Sequence, residues 1–254
     1  MNNMEEFTRL VELMATLRGE KGCKWDKKQT VHSFKTFILE EVYELIDAIE
    51  RENYNHIKEE LGDILFHIIF ISQICKEKSV FDIKDVLSLT YQKMFNRHPH
   101  VFIEHDPDVS IEKRWEEIKK AEKEDYSPLN SIPKILPALL RAYVVTKRAS
   151  KVGFDWHCIE DVHVKLDEEI KELHDAEATG NKEKIKEEIG DILFTVVNIS
   201  RFHGIDPEDA LRFTIEKFIR RFNYIEQNTD LRKSDLIVMD KLWDDIKSME
   251  KEGD

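Results

Sequence analysis

The stretch EEIGDILFTVVNIS, Glu187 to Ser200, is built almost wholly from residues that belong in a protein interior, yet Glu188 and Asp191 stand in the middle of it. A bare carboxylate is costly to bury unless it is paired, protonated or bound to metal. At about 100° per residue, Glu188, Asp191, Thr195 and Asn198 fall along one ridge of a helix. The remaining surface is mostly Ile, Leu, Phe and Val. A helix that is apolar nearly all round except for one polar ridge is a helix packed on several sides.

The same pattern occurs earlier. EELGDILFHIIFIS, Glu59 to Ser72, matches it closely, and upstream EEVYELIDA (Glu40 to Ala48) corresponds to EEIKELHDA (Glu168 to Ala176). Glu44 and Glu60 are sixteen residues apart, and so are Glu172 and Glu188. Lys93 and Arg97 recur as Lys217 and Arg221, and Trp115 as Trp243. Order and spacing are both kept, so the chain reads as a duplicated helical unit.

Glycine and proline are sparse, and apolar residues recur at helical spacing. Ile38, Val42, Leu45 and Ile49 make one face; Ile57, Leu61, Ile64, Ile68 and Ile71 make another. The fold class expected is all-α, with two tandem helical bundles. Interruptions fall at RHPHVF with the DPD that follows (Arg97 to Asp108), at Ser127 to Pro137, and at His203 to Asp209. Pro128, Pro133 and Pro137 suit a linker better than a helix interior. The expected divisions are an N-terminal domain over 1–125, a linker over 126–137 and a C-terminal domain over 138–254.

Each half carries E-E-x-x-E on one helix and E-x-x-D on the next. Glu41 and Glu44 share one side of their helix, with Glu40 one turn from Glu44; Glu60 and Asp63 are one turn apart, and His67 extends that stripe. A short loop makes the two helices antiparallel neighbours, so their ridges would gather four or five carboxylates. Like charges that close raise one another's pKa and destabilise the fold unless something cationic is present. Oxygen-only ligands without Cys suit Mg²⁺ or Mn²⁺ rather than zinc, and Mg²⁺ shares its shell with substrate phosphates. A lone E-x-x-D is usually a solvated face. Its apolar setting, its partner cluster and its recurrence point here to metal.

Lys217 and Arg221 lie at i, i+4 in EKFIRRF and could grip phosphate oxygens, Arg bidentately. Exposed ion pairing along the helix is the plainer alternative, and the recurrence as Lys93 and Arg97 weighs against it. Trp243 and Trp115 suit base stacking or helix packing equally. His67 reads as a hydrogen-bonded support to the ligands rather than a ligand. KWDKKQT (Lys24 to Thr30) and VGFDW (Val152 to Trp156) frame each pocket, with no chemistry assigned.

Charged residues make up 36% of 254, with a net charge of -13, so nucleic acid and anionic membranes are poor partners. No run of about 18 apolar residues suggests a membrane span, and the N-terminus lacks a secretion-signal pattern. Cys23, Cys75 and Cys158 are odd in number and never C-x-x-C, which suits buried or half-buried thiols in a reducing cytoplasm.

Taken together, CKWDKKQT, LEEVYELIDAI, EELGDILF, RHPHVF, VGFDW, EEIGDILF and EKFIRRF resemble, in order, a two-domain member of the MazG nucleoside triphosphate pyrophosphohydrolases, within the all-α NTP pyrophosphatase group. The resemblance covers nearly the whole chain. It implies Mg²⁺-dependent hydrolysis of nucleoside and deoxynucleoside triphosphates to monophosphate and pyrophosphate, by water attacking the triphosphate, in a homodimer. It places metal ligands at Glu169, Glu172, Glu188 and Asp191, with Glu168 close by, phosphate contacts at Lys217 and Arg221, and a nucleotide contact at Trp243. The N-terminal equivalents are Glu41, Glu44, Glu60, Asp63, Lys93, Arg97 and Trp115. It also implies that the C-terminal half carries most of the activity. The C-terminal half has no equivalent of RHPHVF, so the two pockets must close differently.

Two rival enzyme classes fit less well. A di-iron bundle supplies Glu-x-x-His, and here the pair is Glu-x-x-Asp. An HD-type phosphohydrolase would rest on His105-Asp106 or His174-Asp175, neither inside an apolar helix. A nucleotide-binding regulatory protein with one inactive half is the non-enzymatic alternative.

Overall fold

The computed structural model describes residues 3–103 and 127–252, and every regular element among them is an α-helix. The chain divides into two compact units, Met1–Glu122 and Lys123–Asp254.

The first unit contains α1 (Asn3–Arg18), α2 (Lys24–Lys28), α3 (Phe34–Glu50), α4 (Tyr54–Glu77), α5 (Ile83–Arg97) and α6 (Pro99–Phe102). Glu52, after α3, takes a left-handed φ of 51°, and the Asn53 side chain opens α4 by accepting from the His56 N–H at 3.3 Å. Three connecting residues leave α3 and α4 side by side and antiparallel. Their core joins Met14 of α1, Phe34 of α3, and Ile69, Phe70 and Ile74 of α4. Phe34 stacks on Phe70 with centroids 4.0 Å apart.

Arg18 closes this core. Its guanidinium lies 5.1 Å over the Phe70 ring and donates to both Glu77 carboxylate oxygens at 2.8 Å. It also reaches the Asp26 carbonyl, which anchors the short α2.

The second unit contains α7 (Ala138–Lys151), α8 (Ile159–Thr179), α9 (Lys182–Phe202), α10 (Pro207–Asn228) and α11 (Leu236–Glu252). Gly180, with φ of 67°, ends α8 in the left-handed conformation that glycine adopts without penalty. Asn181 then caps α9, accepting from Glu183 and Lys184 at 3.1 and 3.3 Å. The second hairpin therefore repeats the first. α7 packs against α9 and α10, and α10 pairs with α11. Asp206 caps α10, accepting from the Glu208 N–H at 2.9 Å, with Pro207 at the first helical position.

The proline-rich segment runs as turns. Ile132 within it is buried, and Arg148 of α7 donates to the Pro128 carbonyl at 3.0 Å and to the Ser131 hydroxyl at 2.6 Å. RHPHVF is not a bare interruption: it adds α6, whose Phe102 stacks on Phe95 at 4.9 Å. The DPD lies outside the described residues. Cys75 is buried, but Cys23 and Cys158 are exposed, against the expectation of covered thiols. No described helix is long and apolar enough to cross a membrane.

Apolar faces read from periodicity are only partly covered. Ile49, Leu61 and Ile68 are exposed, as are Leu193, Phe194 and Val196 on α9 and Phe213, Phe218 and Phe222 on α10. Periodicity reveals a face that avoids water, not what covers it.

Arg18 holds the Glu77 carboxyl below the usual carboxylate range. A depressed folded pKa contributes stability above the unfolded value, lost as pH falls through the folded one. Glu77→Gln should therefore cost about 1–3 kcal/mol near neutral pH, with the difference from wild type vanishing under acid conditions. Urea unfolding at a series of pH values measures this.

Candidate metal centre

The two hairpins bring the predicted acids together, three from each half. In the second unit one carboxylate oxygen each from Glu169, Glu172 and Glu188 lies within 4.8 Å of the others. Glu169 is 5% exposed and Glu188 6%, which is unusual for acidic side chains. Burial, and next the Glu172 charge, push the Glu188 carboxyl above its ordinary pKa.

Lys165, one turn back on α8, answers part of this charge. Its ammonium reaches Glu169 at 2.8 Å and Glu168 at 3.0 Å, and those two carboxylates hold its pKa well above the ordinary lysine value. Glu168 therefore faces Lys165. Asp191 is exposed, outside the tight trio, and lines a cavity together with Glu169.

In the first unit the trio is Glu41, Glu60 and Asp63, also within 4.8 Å. Burial, then Asp63 and Glu44, raise the Glu41 pKa. Glu44 is exposed and contributes by charge only. Glu60 Oε2 is buried with no hydrogen-bond partner. No lysine or arginine ion-pairs with this trio among the described residues. An orphaned carboxylate oxygen within an all-oxygen set fits a hard divalent cation.

His67 departs from expectation. It is buried with no partner for Nδ1, edge-on to Phe34 at 5.2 Å and flanked by Phe37 and Phe66. Burial lowers its pKa despite the nearby Asp63 charge. Ring packing, not hydrogen bonding through that nitrogen, fixes it.

The predicted phosphate and nucleotide contacts form a separate group. The Arg221 guanidinium lies 5.4 Å over the Trp243 ring, and Trp243 also packs on Phe218 at 5.2 Å. Arg221 and Arg220 share Glu250 of α11, each donating through Nε at 2.8 Å. Lys217 sits 5.5 Å over the Phe213 ring. Arg221 and Trp243 thus meet each other, with Glu250 as their acid rather than the buried trio. Lys93 and Arg97 stand on α5, one turn apart, and Trp115 lies outside the described residues.

Sequence reasoning missed Lys165, Glu250 and the clamp at VGFDW. Arg201 of α9 pairs bidentately with Asp155, the Nη1–Oδ2 distance being 2.9 Å, and also donates to Asn198 Oδ1 at 3.2 Å. Arg201 holds the Asp155 carboxyl below the usual range. A separation of 46 positions between those partners leaves no local signal. Lys165 lay in plain view, four residues before Glu169.

Behind Asp191 a cavity of about 530 Å³ opens between α7, α8 and α9, with Phe154, Trp156, Thr195 and Asn198 among its walls.

The sequence model of the MazG nucleotide pyrophosphohydrolase domain matches residues 29–102 and again 160–225, the two hairpins that carry the acids. A Thermotoga maritima protein, the nucleoside triphosphate pyrophosphohydrolase/pyrophosphatase MazG, is 43% identical over 93% of this chain and 90% of its own. The nucleoside triphosphate pyrophosphohydrolase of Escherichia coli is 40% identical over 97% and 99%. YabN of Bacillus subtilis is 43% identical over 97% of this chain, which spans about half of that longer protein (52%). The chain belongs to the MazG family of nucleotide pyrophosphohydrolases and carries its domain twice in tandem.

Proposed function

We propose that this protein hydrolyses nucleoside and deoxynucleoside triphosphates to the monophosphate and pyrophosphate. In this reading Mg²⁺ is required, Mn²⁺ substitutes for it, base specificity is broad, and the role is nucleotide-pool housekeeping. The observation that carries the reading is the crowding of the exposed Glu172 with the buried Glu169 and Glu188, beside a cavity that Glu169 lines. Those three and Asp191 would hold the ion, with Glu41, Glu44, Glu60 and Asp63 as the first-unit counterparts. Bound there, a divalent ion supplies charge neutralisation for a polyphosphate and acidifies water.

The chain's own groups divide the remaining work. Lys165 pairs with Glu169 at 2.8 Å and fixes its direction. One carboxylate of the set orients the attacking water and accepts its proton. Lys217 and Arg221 grip phosphate oxygens, with Trp243 beside the nucleotide. Engaging a phosphate requires Arg221 to exchange Glu250 for it.

The exposed apolar residues on α9 and α10 support a homodimer, since such surface is rarely left in water. Light scattering on the eluting protein should read about twice the 30.1 kDa of the chain.

Metal should act as a folding ligand. A cation bound at 100 times its Kd adds about 2.7 kcal/mol to stability, so Mg²⁺ should raise the Tm of the metal-free protein. Glu188→Gln, which removes a buried charge from a repelling set, should raise the metal-free Tm while abolishing most of the Mg²⁺ gain. Differential scanning calorimetry with and without EDTA measures both.

Activity is checked with a panel of triphosphates, resolving monophosphate plus pyrophosphate from diphosphate plus phosphate. Glu188→Gln with Asp191→Asn should lower pyrophosphate release at least a hundredfold. Glu60→Gln with Asp63→Asn should lower it far less. Unchanged release in the first pair removes the second unit as the main site.

A further inference from the structure

We infer that Arg220 and Arg221 form one anion site whose present occupant, the Glu250 carboxylate, stands in for a phosphate group and gives way when a polyphosphate binds. This deepens the pyrophosphohydrolase reading and rests on it for the incoming ligand. Arg220 becomes a substrate contact beside Arg221, and α11 a strap that competes with substrate.

The contact has the form of a held anion. Arg220 donates through Nε to Glu250 Oε1, and Arg221 through Nε to Oε2, both at 2.8 Å. The Nη2 of each guanidinium also lies 2.8 Å from the same oxygen as its Nε. Two planar forks thus present four N–H groups to one flat anion, a geometry that suits carboxylate and phosphate edges alike. The Arg221 side chain is 15% exposed and that of Arg220 60%, so one fork is sheltered and the other open to an arriving ligand. One carboxylate leaves the two guanidiniums with a positive charge to spare. A phosphate chain, with more charge and more oxygens, satisfies both better.

What holds α11 in place also bears on this. No side chain over its residues 236–251 is buried, and α10 is the helix it chiefly packs on. Trp243, two turns before Glu250 and so on the same face, lies over Arg221 and against Phe218. A groove of about 510 Å³, with Arg220 and Ile246 in its walls, opens between the two helices. The end of α11 is therefore tied down by charge rather than by core, and one anion can replace another. A surface ion pair ordinarily only braces a helix. Here the bracing arginine is the one assigned to substrate, so brace and ligand compete for it.

The test is equilibrium binding of methylenediphosphonate, a pyrophosphate analogue without a scissile P–O–P bridge, to the full chain with Mg²⁺. Glu250→Gln keeps the shape and removes the charge. It should tighten binding by about fivefold or more, the factor by which the vacant site is rare in the wild type. Asp245→Asn, which removes an exposed acid elsewhere on α11, should not. Adding Arg220→Gln to Glu250→Gln should weaken binding by a similar factor. In the wild-type chain the analogue should speed amide hydrogen exchange in the last two turns of α11. Binding by Glu250→Gln no tighter than wild type overturns the inference and leaves the contact as a brace. Equal tightening by Asp245→Asn also overturns it, because relief of general repulsion then explains the gain. No weakening from Arg220→Gln overturns the shared site. Unchanged or slowed exchange at the end of α11 overturns the competition, and decides the matter alone should Glu250→Gln not fold. None of these readouts needs turnover. A chain that shows them all and releases no pyrophosphate keeps the Glu250 site and sinks the activity alone.

Discussion

Repulsion between carboxylates held inside a helical hairpin is the constraint around which each unit is organised. Two helices joined by two or three residues must lie side by side, and the sequence sets acids on their facing ridges. Water cannot screen Glu169 or Glu188 fully, since both are buried. The fold answers with Lys165 in the second unit and, among the described residues, with no basic partner for the Glu41 trio in the first. Positive charge bound at such a site relieves the repulsion, which links its stability to what it binds.

Much of this could be read from residues alone, for physical reasons that differ by feature. Helical period, the two acid ridges and their sixteen-residue spacing are local properties, so the hairpins and their pairing followed directly. Which three acids meet did not follow. Glu172 joins the second trio and Asp63 the first, while Glu44 and Asp191 stay outside. That choice depends on the stagger of one helix along its neighbour and on rotamers, neither of which is written in spacing.

Partners distant in sequence were less legible still. Nothing near Arg201 announces Asp155, and nothing near Arg221 announces Glu250. His67 shows the converse error: a polar residue on a polar ridge was read as hydrogen-bonded, and three phenylalanines instead enclose it. Duplication explains why. The two copies keep the acids as a set, while the residues behind them differ, Phe70 against Asn198 and His67 against Thr195. Repeated residues report shared chemistry; those that differ report how the two sites parted.

The reversals that close the hairpins diverged too. Gly180 passes through left-handed backbone freely, whereas Glu52 brings a Cβ into the same region, at a cost on the order of 1 kcal/mol. One copy thus turns its corner relaxed and the other slightly wound. The tip of the N-terminal hairpin is consequently the more readily frayed of the two, and its amides there should trade hydrogen for deuterium sooner than those at the C-terminal bend.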